Sequence, residues 1–262
     1  MQNIDPAPVS SERWLDYFRD NARSVHPAAW EGGVRLSAAD RFVIGSSIRV
    51  FQRGEEGSGR TIARFARRYA ERTGDIAYPL ALQALFDEEA RHADVLGRFI
   101  ELAGIPRLQA EFSDGVFRFL RHRTGLDGAL CLLVTAESIA CIYYRALHAA
   151  TASPLLRELC AQILRDETQH VRFQSQRIAL LRSELPAFVA GVRRTAHAAL
   201  FAGAAMLVAI RHQRVLAAGL GRRRFLRLCR LEWRVVDRLV AGKDLGRPTR
   251  LTRKPLAHSV PG

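Results

Sequence analysis

Residues 82–99 read LQALFDEEARHADVLGRF and residues 156–174 read LRELCAQILRDETQHVRFQ, and the fold turns on what the two stretches share. Each carries a Glu-x-x-His tetrad, Glu89-Ala-Arg-His92 and Glu167-Thr-Gln-His170, within an apolar series that steps by three and four residues. The first series is Leu82, Leu85, Glu89, His92, Leu96, Phe99; the second is Leu156, Cys160, Ile163, Glu167, His170, Gln174. That period belongs to an α-helix, and it puts ionisable groups on the face a soluble helix buries. A lone glutamate precedes each tetrad, Glu55 by 34 residues and Glu137 by 30, and both are again in phase. Glu55 falls in Ile44, Ile48, Phe51, Glu55, Ser58, Ile62, Phe65, Tyr69, and Glu137 in Leu130, Leu133, Glu137, Ala140, Tyr144, Leu147.

Working outward, these four seams predict four long helices. Ser37-Ala-Ala-Asp40 resembles a capping box and opens the first, which runs to Gly74. The second spans about Ile76 to Ala103 and stops at Gly104-Ile-Pro106. Residues 104–126, with Pro106, Ser113-Asp-Gly115 and Thr124-Gly125, read as a long end-to-end crossover. The third helix covers about Asp127 to Ala150, and Ser153-Pro154 supplies an N-cap and a first-turn proline for the fourth, which ends near Arg182. A short amphipathic segment, Trp14 to Arg23, offers Trp14, Tyr17 and Phe18 to the main body. Two further helices are expected over 187–217 and 222–240, separated by Gly219-Leu-Gly221. The apolar run Thr195 to Ile210 is short of the roughly 20 residues of a membrane span and reads as a buried fifth helix. The expected organisation is therefore an N-terminal extension (1–36), a four-helix bundle (37–185), two C-terminal helices packing on the bundle or on a partner (186–241) and a basic tail (242–262).

The formal net charge of +14 is localised: 16 of the 40 Lys and Arg but only 3 of the 26 Asp and Glu fall in residues 187–262. The bundle itself is nearly neutral. The C-terminal charge suits an acidic protein or an anionic surface, and no nucleic-acid motif accompanies it. Cys131, Cys141, Cys160 and Cys229 show neither zinc-site spacing nor the density of a disulfide scaffold, and no secretory signal precedes the first helix, so a cytoplasmic location is expected.

Residues three apart on a helix project from one face about 5–6 Å apart, so a carboxylate and an imidazole can reach one ion. Two Glu-x-x-His helices and two single-Glu helices give four carboxylates and two imidazoles, the recurring di-metal set of four-helix bundles. Hard oxygens mixed with imidazole suit iron or manganese better than zinc. Without metal, six buried ionisable groups would each need another partner. Glu55 is preferred to Glu56 as the first ligand because it keeps phase with Ile48, Phe51 and Ile62. The acid before each tetrad, Glu88 and Asp166, can either pair with Arg91 or Arg165 on the helix surface or accept a hydrogen bond from the outer nitrogen of the opposite histidine.

These motifs resemble the ferritin-like diiron-carboxylate superfamily over residues 38–182. Gly54-Glu55 with Ser58, Ile62, Phe65 and Ala66 is similar to the first ligand helix of rubrerythrins, and Arg165-Asp166-Glu167-Thr-Gln-His170 to the second tetrad of ribonucleotide reductase small subunits. The resemblance implies an all-α, ferritin-like bundle and a metal-ligand set of Glu55, Glu89, His92, Glu137, Glu167 and His170. It implies two iron ions, with manganese or a mixed Fe/Mn pair as alternatives, that react with dioxygen or peroxide. Departures narrow it. No Cys-x-x-Cys pair is present, so an external electron donor is needed; Leu96 stands where the reductase tyrosine would be, and Ile163 where arylamine N-oxygenases carry an extra histidine. Cys141, four residues after Glu137, occupies the position of a pocket threonine in multicomponent monooxygenases. Cys141 and Tyr144 are therefore the pocket candidates, with ordinary core packing as the competing reading.

The expected function is a diiron oxidoreductase acting on a small-molecule substrate. Iron sequestration by a ferroxidase and a bundle scaffold that engages a partner through its basic C-terminal region are the alternatives, and a homodimer is left open.

Overall fold

The computed structural model describes residues 9–24, 28–56, 59–108 and 124–243. Ser58, residues 109–123 of the expected crossover and the basic tail beyond Lys243 lie outside them. The described chain forms nine α-helices: α1 Ser11–Arg23, α2 Ala38–Glu55, α3 Arg60–Thr73, α4 Ala77–Leu102, α5 Gly125–Ala150, α6 Pro154–Ser183, α7 Ala187–Arg211, α8 Gln213–Ala218 and α9 Arg222–Val240. No strand occurs among the described residues. The helix starts follow local chemistry. Ser37 Oγ accepts from the Asp40 amide while the Asp40 carboxylate accepts from the Ser37 amide, a reciprocal cap on α2. Ser153 caps α6 ahead of Pro154, and Ser10 caps α1.

The bundle is built from α2 with α3, α4, α5 and α6. The pair α5 and α6 packs along its length, α4 lies against α2, α3 and α6, and α1 crosses the outside of α4. Helix α9 closes over α5 and α6, and α8 wedges between α2 and α5. Two apolar cores fill the interior. One gathers Ile44, Ile48, Leu96, Phe99, Tyr143, Tyr144, Leu156 and Ile163; the other gathers Trp14, Phe18, Ile62, Tyr78, Leu85, Leu130, Val134 and Phe173. Helices α4, α5 and α6 each contribute to both cores, with their acidic or histidine residues between the two contributions, while α2 feeds the first core up to Glu55 and α3 feeds the second. The ionisable groups thus form a polar belt halfway along the bundle.

The structure departs from the sequence expectation in three places. The first long helix is two: α2 ends at Glu55, α3 begins at Arg60, and Gly59 between them has φ +51°. A Cβ there would be strained and would meet the Phe86 ring at 2.4 Å. The apolar register nonetheless carries across the break, with Ile48 and Ile62 both buried, which is why spacing shows no interruption. The first C-terminal helix is also divided, into α7 and α8, at His212. That ring is buried and its Nδ1 lies 2.7 Å from Ser47 Oγ on α2, pinning the break to the bundle. The α8–α9 turn is held closely as well, since a Cβ at Gly219 would fall 2.2 Å from the Ala146 carbonyl oxygen.

The third correction concerns the run Thr195 to Ile210. It is not a buried helix. On α7 only His197, Phe201, Ala205 and Ala209 are buried, while Phe188, Val192, Met206, Leu207 and Ile210 are exposed. Apolar composition, much of it alanine, misled; one face suffices to dock α7. Among the described residues, the helix whose length and composition would allow a membrane span is instead α5, and most of it is buried in the bundle.

Candidate metal centre

The polar belt brings together Glu55 from α2, Glu89 and His92 from α4, Glu137 from α5, and Glu167 and His170 from α6, all six buried. Their donor atoms fall into two groups of four, Glu55, Glu89, His92 and Glu167, and Glu89, Glu137, Glu167 and His170, with the atoms of each group within 4.8 Å of one another. Glu89 and Glu167 belong to both. The i, i+3 spacing sets this: each tetrad places its carboxylate toward the middle and its imidazole toward one end.

His92 Nδ1 faces inward, 3.4 Å from Glu167 and 3.8 Å from Glu55, while its Nε2 lies 3.1 Å from Asp166 Oδ2. His170 repeats the arrangement, with Nδ1 2.8 Å from Glu89 Oε1 and Nε2 2.8 Å from Glu88 Oε2. Each acid preceding a tetrad therefore receives the outer nitrogen of the opposite histidine. Nε2–H donation to a carboxylate leaves the Nδ1 lone pair free for an ion. Glu88 also meets Arg91 at 3.2 Å, so the two sequence readings of Glu88 coexist.

Glu55, not Glu56, enters the cluster. Glu56 turns outward to Gln52, Arg53 and Arg107, and although burial works against its charge, hydrogen bonds from Gln52 and Arg53 hold its carboxyl below the usual range. Tyr144 Oη donates a short hydrogen bond to Glu55 Oε1, so this tyrosine serves the cluster as well as the core. Cys141 is buried, and burial followed by the charges of Glu232 and Glu167 raises its thiol well above the ordinary value. Neither Cys141 nor Tyr144 lines the cavity of about 370 Å³ that reaches Glu55; its walls are Glu55, Glu56, Gln83, Phe86, Asp87, Ala90, Ala93 and Asp94.

The electrostatics describe a cluster short of cations. Burial, then repulsion from Glu167 and Glu89, raises Glu137 well above the carboxylate range; burial with Glu89 raises Glu167, and burial with Glu55 raises Glu89. For both histidines burial favours the neutral ring, but the surrounding carboxylates overcome it and push the pKa well up. Five buried donor atoms, Glu89 Oε1, His92 Nδ1, Glu137 Oε2, Glu167 Oε2 and His170 Nδ1, make no well-directed hydrogen bond among the described residues, although Glu89 Oε1 and His170 Nδ1 lie within ion-pair distance of each other. Unsatisfied atoms are costly in a buried site, and these five belong to residues of the two four-donor groups. The donor set fits a pair of hard divalent cations.

Two contributors escaped sequence reasoning. Gln174 Nε2 donates to Glu137 Oε1 at 2.6 Å, and its polarity within the α6 seam was the available signal. Asn21 Nδ2 donates to Glu88 Oε1 at 2.7 Å and to Asp166 Oδ1 at 3.0 Å, and nothing in the α1 sequence marks it.

No protein-family model and no curated protein matches the chain. Among solved structures it is similar to a tyrosine-to-phenylalanine variant of an R2-like ligand-binding oxidase with an anaerobically reconstituted Mn/Fe cofactor. The TM-score is 0.61 at 13% sequence identity, over 89% of this chain and 94% of that one. With a buried carboxylate and histidine cluster at mid-bundle, the chain has the all-α, ferritin-like helical-bundle fold of that oxidase.

Proposed function

We propose that the protein is a di-metal oxidase that uses dioxygen to oxidise a small organic substrate. The observation that carries this reading is the pair of four-donor groups sharing Glu89 and Glu167. Glu55 and His92 would hold one ion, Glu137 and His170 the other, and Glu89 and Glu167 would span both. Iron, or manganese with iron as in the structural neighbour, fits these oxygen and imidazole donors. Bound there, the ions supply the electrons that reduce dioxygen.

The remaining roles belong to the chain. Asp166 and Glu88 hold the outer protons of His92 and His170 and keep both Nδ1 atoms turned inward. Tyr144 fixes one oxygen of Glu55, and Gln174 fixes one of Glu137. The two apolar cores exclude water above and below the belt. The cavity at Glu55 gives a small substrate a route to the belt, with Phe86, Ala90 and Ala93 as apolar wall and Glu56, Asp87 and Asp94 as acidic rim. That rim favours neutral or cationic substrates over carboxylates. All four cysteines are buried and unpaired, which supports an external electron donor and a reducing, cytoplasmic setting.

The test is anaerobic loading with Fe(II), removal of excess metal, and measurement of dioxygen uptake on exposure to air. Stoichiometric uptake against bound iron is expected. Tightly bound iron that consumes no dioxygen would replace the oxidase reading with metal sequestration.

A further inference from the structure

Helix α1 lies outside the four-helix bundle, yet one of its side chains touches both halves of the belt. The two hydrogens of the Asn21 amide go to Glu88 Oε1 and Asp166 Oδ1, at 2.7 and 3.0 Å. The second oxygens of the same carboxylates take the outer nitrogens of His170 and His92, at 2.8 and 3.1 Å. The result is one unbroken chain, His170–Glu88–Asn21–Asp166–His92, that runs from α6 to α4, out to α1, back to α6 and ends on α4. The rest of α1 holds the amide in place. Phe18 is fully buried against His170 and Phe173, with ring centroids 5.9 and 5.4 Å apart, and Trp14 Nε1 donates to Gln176 at 2.7 Å.

We propose that Asn21 is a positioning residue that sets both histidines at once and thereby couples the two metal positions. This rests on the di-metal reading above. The chemistry of the donor matters. Arg91 already meets Glu88 Oε1 at 3.2 Å, and a second cation at position 21 would neutralise Asp166 as well and weaken the hold of both carboxylates on the imidazole protons, whereas a neutral amide orients both carboxylates without adding charge. An aspartate would set a third carboxylate against two. Because a single NH2 group serves both sides, its loss loosens both imidazoles together, unlike loss of Glu88 or Asp166, which frees one.

The experiment is anaerobic Co(II) titration of the full chain, followed by the visible ligand-field absorption, for the wild type, Asn21→Leu, Asn21→Asp and Asp166→Asn. Removing an outer hydrogen-bond partner weakens a metal by about 10- to 100-fold. Asn21→Leu is expected to weaken both cobalt ions together, by about tenfold, with an altered band at both. Asn21→Asp is expected to be worse than Leu, and Asp166→Asn to weaken one ion selectively. Circular dichroism reports whether the helices survive, and Trp14→Phe, which removes the α1 bond to Gln176 and keeps the Asn21 amide, reports loosened docking of α1 alone; equal weakening of both ions in it would overturn the role of Asn21. Two cobalt ions in the wild type with unchanged affinities in Asn21→Leu would overturn the role of Asn21 alone. Weakening of one ion only would overturn the coupling. A wild type that takes no cobalt would remove the di-metal reading beneath both.

Discussion

Replacing Glu137 by glutamine is expected to stabilise the metal-free protein and destabilise the metal-loaded one. The donor oxygen of Glu137 lies within 4.8 Å of donors from Glu89 and Glu167. Two full negative charges at that distance repel by about 3.5 kcal/mol at an effective dielectric constant near 20, so complete ionisation would cost Glu137 about 7 kcal/mol. Much of a domain's net stability, roughly 5–15 kcal/mol, would be lost. His170 offsets part of it, and protons retained by the carboxylates offset more, as the raised Glu137 pKa records. A group whose folded pKa is raised contributes stability that is complete below its unfolded pKa and disappears as pH rises through the folded value. Glutamine does not titrate, keeps an oxygen to accept from Gln174, and so gains on the wild type as pH rises. We expect Glu137→Gln to be the more stable protein at pH 8 without metal, by less than that full repulsion, and the difference to shrink as pH falls toward 5. With free Mn(II) at about 100 times the dissociation constant, each bound ion adds about 2.7 kcal/mol, and the variant forfeits one such contribution, so the order reverses. Urea unfolding with chelator and with Mn(II), at both pH values, measures this. A metal-free variant less stable than wild type at pH 8, or an order that manganese leaves unchanged, would refute the reasoning.

Alanine at His92 or His170 should remove one ion and leave the helical circular dichroism intact, whereas alanine at Glu89 or Glu167 should reduce occupancy of both positions; metal analysis after gel filtration distinguishes the two patterns. Glu232, buried on α9, has a pKa raised to about 7 by burial, with Arg145 as a partial offset. Its contribution to stability is therefore lost between about pH 4.5 and 7, by roughly 3 kcal/mol, and Glu232→Gln should flatten that part of the stability–pH curve in chemical denaturation. Gly59→Ala should lower stability by about 1–3 kcal/mol, because φ +51° disfavours a side chain and the new Cβ collides with Phe86. A calorimetric melting temperature equal to wild type would contradict that account of the α2–α3 break.

The helical period exposed the bundle and the mid-helix belt because burying charge is costly, so acids and imidazoles in phase with leucines mark a shared interior site. What the period could not show was continuity. Residues 48 and 62 keep phase across an interruption of the helix, since register records which face is buried and not whether the backbone between stays helical. Composition misplaced α7 for a related reason: alanine is apolar yet tolerates water, so a run rich in it does not specify two buried faces. Tyr144 read as core from its place in the α5 seam, and its ring is indeed buried, but the reach of its hydroxyl to Glu55 on another helix is a tertiary fact. Asn21 lay furthest from legibility. Its partners stand 67 and 145 residues away, and a single polar residue near the end of an amphipathic helix is ordinary in sequence.

The most direct test of the central claim is a crystal structure of anaerobically Fe(II)- or Mn(II)-loaded protein with anomalous diffraction at the metal edge. Two anomalous peaks are predicted, both in contact with Glu89 and Glu167, one beside His92 Nδ1 and the other beside His170 Nδ1. Density free of anomalous signal in the belt of fully loaded crystals, or a single ion bound elsewhere, would contradict a di-metal site and leave the cluster as a protonated polar core.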